Sequence, residues 1–230
     1  RVDAATQIRD ALLRTRAKTV AYVNPRAISA GALISLACDL IVMAPGGSIG
    51  AATPVQMGSG GEMKPTSEKV VSYMRKEMKT TAEAKGRRGD LAEKMVDPAL
   101  DVARVSEALR ESISGLKAGK LLTLTTDEAM ALDLVEAKVK DWDDLVAQLG
   151  LRGVKVVRPR VNWAESITRF LTDPLVSSLL MTLGILGLLI ELYAPGIGLP
   201  GAVGLLCLIL FFAGHKVAGL AGMEEILVFL

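Results

Sequence analysis

Residues 174–190 run without a single charged side chain, and a second charge-free stretch runs from residue 199 to about 213. Backbone placed in hydrocarbon must satisfy its own hydrogen bonds, so such segments are helical, and the first is long enough to cross a bilayer. Glu191 marks its end. The second stretch is shorter but rich in glycine, which permits close helix packing. Residues 219–230 read as the start of a third apolar element. A buried helical hairpin in a soluble protein is the alternative, and the absence of any alternating polar residue argues against it. The chain is 50% hydrophobic with a mean hydropathy of +0.38, yet nearly all of its charge lies before residue 170. The sequence therefore predicts an α/β soluble domain over residues 1–150, a basic linker and interfacial helix over 151–172, and a transmembrane helical region over 173–230.

The linker carries Arg152, Lys155, Arg158 and Arg160. Residues 163–170 form an amphipathic helix with Trp163, Ile167 and Phe170 on one side, a pattern suited to the boundary between headgroups and acyl chains. The expected surroundings of the C-terminal part are thus a lipid bilayer, crossed more than once. With Arg169, the basic residues favour a cytoplasmic soluble domain by the positive-inside rule.

The formal net charge of +2 is too small to suggest nucleic acid as a partner. The 2 cysteines, Cys38 and Cys207, fall in an apolar helix and in the membrane segment, so no disulfide joins them, and no metal-ligand cluster and no cofactor are expected. His215, the 1 histidine, ends an apolar span, so no Ser-His-Asp triad is available to the soluble part.

Within the soluble part, an amphipathic helix over 3–16 (Ala4, Ile8, Leu12 and Leu13 inward) precedes a strand over 19–23. A turn, a helix of small apolar residues and a strand over 40–44 follow, which predicts parallel strands joined by a crossover helix. Ser29 sits at the strand-to-helix corner. Its neighbours Ala30 and Gly31 are small enough for a substrate backbone to approach, and their N–H groups point at whatever charge develops there. The simpler role is that of an N-cap or a small packing residue. Beyond it, residues 48–55 form a small-residue turn and 56–65 a Gly-rich loop. A helix capped by Ser67 then runs to Gly86 with Val70, Val71, Met74, Met78 and Ala82 on its apolar face. Asp90 is expected to cap a helix over 91–96. Arg75, Lys76, Lys79, Lys85, Arg87 and Arg88 read as a solvated basic face. A strand from Leu121 to Thr125, a helix start with Asp127 and Glu128, a short strand over 135–139 and a closing helix over 141–149 complete the domain.

Without a usable histidine, a serine nucleophile needs another base, and a lysine whose pKa is lowered by burial can serve. Spacing does not choose among the lysines. Lys69 has the advantage of a helix first turn behind the Gly-rich loop, beside Val70, Val71 and Met74; its simpler role is a solvent-facing helical lysine.

Ser29-Ala-Gly-Ala-Leu-Ile, the run from Met43 through Ala-Pro-Gly-Gly-Ser-Ile-Gly-Ala-Ala-Thr to Pro54, Lys69 and Gly86-Arg-Arg together resemble the NfeD family of membrane-bound serine proteases, relatives of ClpP and signal-peptide peptidase A. The resemblance extends over the whole chain. It implies a ClpP/crotonase-like core with parallel strands and crossover helices, followed by transmembrane helices. It implies Ser29 as nucleophile, Lys69 as its base, and Ala30 or Gly31 as an oxyanion donor. It further implies a homo-oligomer in the cell membrane, cleaving apolar segments of membrane-associated partners such as stomatin-like (SPFH) proteins, with an extracytoplasmic protease domain. The chain departs from the family pattern in having Gly86-Arg87-Arg88 for Gly-Arg-Asn. The family's earlier strand and Gly-Gly turn, which lend an oxyanion donor, fall before Arg1, so the chain is expected to be a fragment and a weak enzyme alone. Two further readings stand beside this one. The run from Ala30 to Ala44 also resembles the acyl-CoA-transforming crotonases, and the domain could be a non-catalytic membrane scaffold.

Overall fold

The computed structural model describes residues 2–57, 63–157, 162–193 and 198–218. It divides after Val154 into two units, each described by itself. In the first, helix α1 (Val2–Arg14) leads to strands β1 (Val20–Val23) and β2 (Arg26–Ile28), helix α2 (Ala30–Leu36), and strands β3 (Leu40–Met43) and β4 (Ser48–Gly50). A hairpin of β5 (Val55–Met57) and β6 (Met63–Pro65) precedes helices α3 (Glu68–Ala84), α4 (Gly89–Lys94) and α5 (Glu107–Ser112). Strand β7 (Thr123–Thr125), helix α6 (Thr126–Ala131), strand β8 (Ala137–Lys138) and helix α7 (Trp142–Gln148) close the unit.

The apolar runs flanking α2 pair as parallel strands in the register Val20↔Leu40 to Val23↔Met43, as a crossover helix between them demands. β8 extends this sheet in parallel on the other side of β3. A second three-stranded sheet was not anticipated. In it β2 runs parallel to β4, and β7 runs antiparallel to β4. So the segment around Ser48, read from sequence as a turn, is a strand, and the three residues before Ser29 are its partner.

The core lies between these sheets and the helices, and Leu33, Leu36, Ile41, Met43, Ile49, Met78, Leu91 and Met95 are all fully buried in it. Each such side chain contributes roughly 1.5–3 kcal/mol of burial. Local signals agree with the packing at α6, where Thr125 and Glu128 form a reciprocal capping box, and at α7, capped by Asp141. They fail at α3. Ser67 occupies the N-cap position, but its side chain accepts no capping bond. Asp90 does not cap α4 from outside; it lies in that helix's first turn, and its carboxylate accepts the N–H of Leu91 at 3.0 Å.

The expected solvated basic face is largely paired, and at Arg87 it is buried. Arg87 is only 7% exposed. Arg75 bonds Asp97 at 2.5 Å, and Lys76 and Lys79 share Glu93 at 3.0 Å each. Lys94, on α4, is fully buried. Its Nζ donates to the carbonyls of Pro98 (2.7 Å) and Lys117 (3.3 Å), and burial pulls its pKa below the ordinary lysine value.

In the second unit, α8 (Trp163–Leu171) is followed by α9 (Pro174–Tyr193) and α10 (Leu199–Val217). The last two, of 20 and 19 residues, are long and apolar enough to cross a membrane. Residues 219–230 lie outside the described residues. α9 and α10 pack antiparallel through glycine. A Cβ on Gly204 would lie 2.7 Å from the Gly184 carbonyl oxygen, and one on Gly187 only 2.5 Å from that of Pro200. With no water to expel, such close backbone contact is what holds two membrane helices together. Gly204→Val is therefore expected to force the pair apart at a cost of about 1–3 kcal/mol. It should lower the thermal unfolding midpoint of the detergent-purified protein by several degrees, and an unchanged midpoint would show that the glycine contact is not what holds the hairpin.

Candidate active site

Ser29 stands where β2 ends and α2 begins, with φ 57° and ψ −118°. A positive φ is strained for any residue with a Cβ, so it persists only where the surroundings impose it. Here the Ser29 N–H donates to the Gly50 carbonyl at 3.1 Å, while the Ser29 carbonyl accepts from Ala32 (3.0 Å) and Leu33 (3.4 Å). The backbone is thus held by β4 on one side and by the first turn of α2 on the other. Gly50 itself has φ +134°, and a Cβ there would sit 2.5 Å from the Leu122 carbonyl oxygen. Only glycine lets β4 run this close to the chain before β7.

Ser29 holds the N-cap position, yet its side chain makes no capping bond. The hydroxyl is exposed and has no hydrogen-bond partner among the described residues. It borders a cleft of about 250 Å³, whose other walls include Ala5 of α1, Leu33 of α2, Ala52, Val55 and Met74 of α3. At about 30 Å³ per water the cleft holds several waters or one large apolar side chain. The N–H groups of Ala30 and Gly31 have no acceptor among the described residues, as the first turn of a helix dictates.

Ser29 and Ala30 therefore meet at one cleft, with Gly31 next in the same helical turn. Lys69 does not line it. It is exposed in the first turn of α3 and forms no hydrogen bond or ion pair among the described residues. A tether does connect its segment to the cleft wall, because the Thr66 hydroxyl donates to the Pro54 carbonyl at 3.2 Å.

Sequence reasoning missed what fixes the far end of α2. Arg87 donates to the carbonyls of Cys38 (2.9 Å) and Asp39 (3.2 Å) and to Glu136 (2.7 Å). The other Glu136 oxygen takes the N–H of Ile41 at 2.5 Å. Asp39 bonds Lys85 at 2.7 Å and both the N–H and the hydroxyl of Thr19 at 2.8 Å. This mesh locks the chain just past α2 to β3, to the start of β1 and to the end of α3. The one signal was Gly86-Arg87 itself: Gly86 has φ +73° and ends α3, which turns Arg87 inward. The Lys85 ammonium, followed by the Thr19 donors, holds the Asp39 carboxyl well below the usual carboxylate range. Burial pushes the Cys38 thiol up, away from reactivity.

The fold is ClpP-like. The 1510-N membrane-bound stomatin-specific protease shares it. Its structure as a lysine-to-alanine variant with a bound substrate peptide has a TM-score of 0.56 and 23% identity, over 75% of this chain and 78% of that one. Its serine-to-alanine variant has a TM-score of 0.53 and 24% identity, over 70% of this chain and 77% of that one. Residues 1–158 match the NfeD1b N-terminal domain and residues 175–230 the NfeD integral membrane domain, and the chain belongs to the NfeD family. Membrane protein NfeD1b of Bacillus subtilis (strain 168) is 38% identical over 229 residues, which cover 100% of this chain and 49% of that protein. Membrane-bound protease PH1510 of Pyrococcus horikoshii is 29% identical over 242 residues, covering 95% of this chain and 49% of that protein. The chain thus spans about half the length of the curated relatives it matches.

The Asp39 mesh has a pH signature. A carboxyl whose folded pKa is depressed contributes stability that is complete above its unfolded pKa, about 4, and lost as pH falls below it. Asp39→Asn should lower the unfolding midpoint near neutral pH, and the gap to the wild type should close on acidification below about pH 4. Parallel midpoint-against-pH curves for the two proteins would show that the Lys85 and Thr19 contacts do not stabilise the fold.

Proposed function

We propose that the chain carries the catalytic centre of a membrane-bound serine endopeptidase working by a Ser29–Lys69 dyad. Ser29 Oγ attacks a peptide carbonyl while neutral Lys69 takes its proton. The resulting oxyanion is held by the N–H of Ala30 or Gly31, the C–N bond breaks, and Lys69 returns the proton to the leaving amine. Water then releases the acyl group by the same steps. The observation that carries this reading is Ser29 itself. Its backbone is held in a strained turn, and it stands over an apolar cleft; among the described residues its hydroxyl has no partner and the N–H groups of Ala30 and Gly31 beside it have no acceptor.

The cleft's lining suits an apolar residue next to the scissile bond, which supports apolar segments of membrane-associated proteins as substrates. Kinship with a stomatin-specific protease supports a stomatin-like (SPFH) partner. A homo-oligomer and an extracytoplasmic protease domain belong to the same proposal. The proposed mechanism places Lys69 in a drier setting than its exposed place in the single chain. An apolar substrate laid along the Pro54–Thr66 tether, or a second subunit, would supply it.

The exposure of Lys69 also favours one other reading, a protease-like scaffold without activity. Labelling by a serine-reactive phosphonate separates the two, since only an activated Ser29 reacts. Ser29→Ala and Lys69→Ala should each cut cleavage of an apolar peptide by the purified whole protein by about 100-fold or more. Undiminished cleavage by Ser29→Ala would remove the nucleophile, and undiminished cleavage by Lys69→Ala would remove the base.

A further inference from the structure

α8 joins no core. On a helix of about 100° per residue, Trp163, Ile167 and Phe170 fall within an arc of about 60°. All three are exposed, at 75%, 49% and 63%. Glu165 and Arg169 pair at 2.6 Å on the opposite side. A soluble protein seldom leaves three large apolar side chains on one face uncovered.

What covers them follows from where α8 is fastened. Only Thr172 and Asp173 separate it from α9, whose Leu175 and Leu179 are also exposed. The Asp173 carboxylate accepts the N–H of Leu175 at 3.0 Å, so a charge stands at the start of the span. The Ser177 hydroxyl donates to the Leu171 carbonyl at 2.9 Å. The Leu171 side chain packs on Gly214, where an added Cβ would lie 2.7 Å from that of Leu171. Gly214 is in the last turn of α10, next to His215 and Lys216. The C-terminal end of α8 is therefore held at the edge of the hairpin, where α9 begins and α10 ends. That edge is the level at which a helix leaves hydrocarbon for headgroups. The sequence leading into α8 is cationic, with Arg152, Lys155, Arg158 and Arg160, and Arg169 follows within it.

We propose that α8 is a lipid-binding helix. Its Trp163–Ile167–Phe170 face inserts at the boundary of headgroups and acyl chains, and Arg169 together with the basic residues that precede the helix in sequence favours anionic lipid. Continuity with the spans favours lipid over a protein partner, because the face begins where the hydrocarbon ends. A bilayer meets an aromatic and aliphatic face flanked by cations in this way.

The test uses Trp163 as its own reporter. The chain has 2 tryptophans, and Trp142→Phe leaves Trp163 alone. The chain is reconstituted in vesicles of phosphatidylcholine and phosphatidylglycerol in equal parts, with bromines carried high or low on the acyl chains. Emission should be blue-shifted, more than half quenched by shallow bromines, less by deep ones, and several-fold less open to iodide than in the unfolded protein. Replacing phosphatidylglycerol by phosphatidylcholine should weaken the shallow quenching. Water-like emission with full iodide access would overturn the proposal. So would blue-shifted emission untouched by bromolipid, which would place the face against a second copy or another protein. If Trp142→Phe disturbs folding, the difference between wild-type and Trp163→Phe spectra gives the same reading.

Discussion

The hydrogen bond from the Ser29 N–H to the Gly50 carbonyl, 3.1 Å long, is the contact on which the candidate site depends. A residue with a Cβ does not rest at φ 57° unless it is held there. This bond can form only because Gly50 brings β4 close, and Gly50 can do so only because it lacks a Cβ that would strike Leu122. The short sheet β2–β4–β7 thus aims one hydroxyl at the cleft. Its strands of three residues each bury little, so their value lies in position more than in stability.

The other end of α2 is held by different physics. Carbonyls just past a helix carry partial negative charge and lack helical partners. Arg87 meets those of Cys38 and Asp39 with a fixed cation, and Glu136 balances that cation while also taking the Ile41 N–H. A helix of 7 residues gains little from its own hydrogen bonds. Clamped at both ends, α2 can present Ser29 and the N–H groups of Ala30 and Gly31 without a long dipole or a side-chain cap.

What the sequence disclosed follows from how local each cause is. β1, α2 and β3 were legible because continuous apolar runs around a small-residue helix leave few arrangements. The hairpin was more legible still, since hydrocarbon permits little else than a helix. β2 and β4 were not, because three residues carry no period, and Ser48-Ile-Gly50 has the composition of a turn. Ser29 was legible as a corner residue, but its positive φ was hidden, because the cause lies in Gly50 and Leu122. Arg87 was misread because a basic run has one composition whether it faces water or carbonyls. Ala5 and Met74 were invisible as cleft walls, since only the tertiary fold brings α1 and α3 beside α2.

The two units are held together by different means. In the first unit the expensive groups to bury are cations, and the fold takes in Arg87 and Lys94 by turning backbone carbonyls toward them. In the hairpin the backbone is already satisfied within each helix, and attraction must come from contact alone. There the side chain is what must be removed, and Gly184, Gly187 and Gly204 remove it where the two helices touch. α8 belongs to neither scheme. Its exposed face of Trp163, Ile167 and Phe170 lies opposite the Glu165–Arg169 pair, and the proposed boundary of headgroups and acyl chains suits both faces.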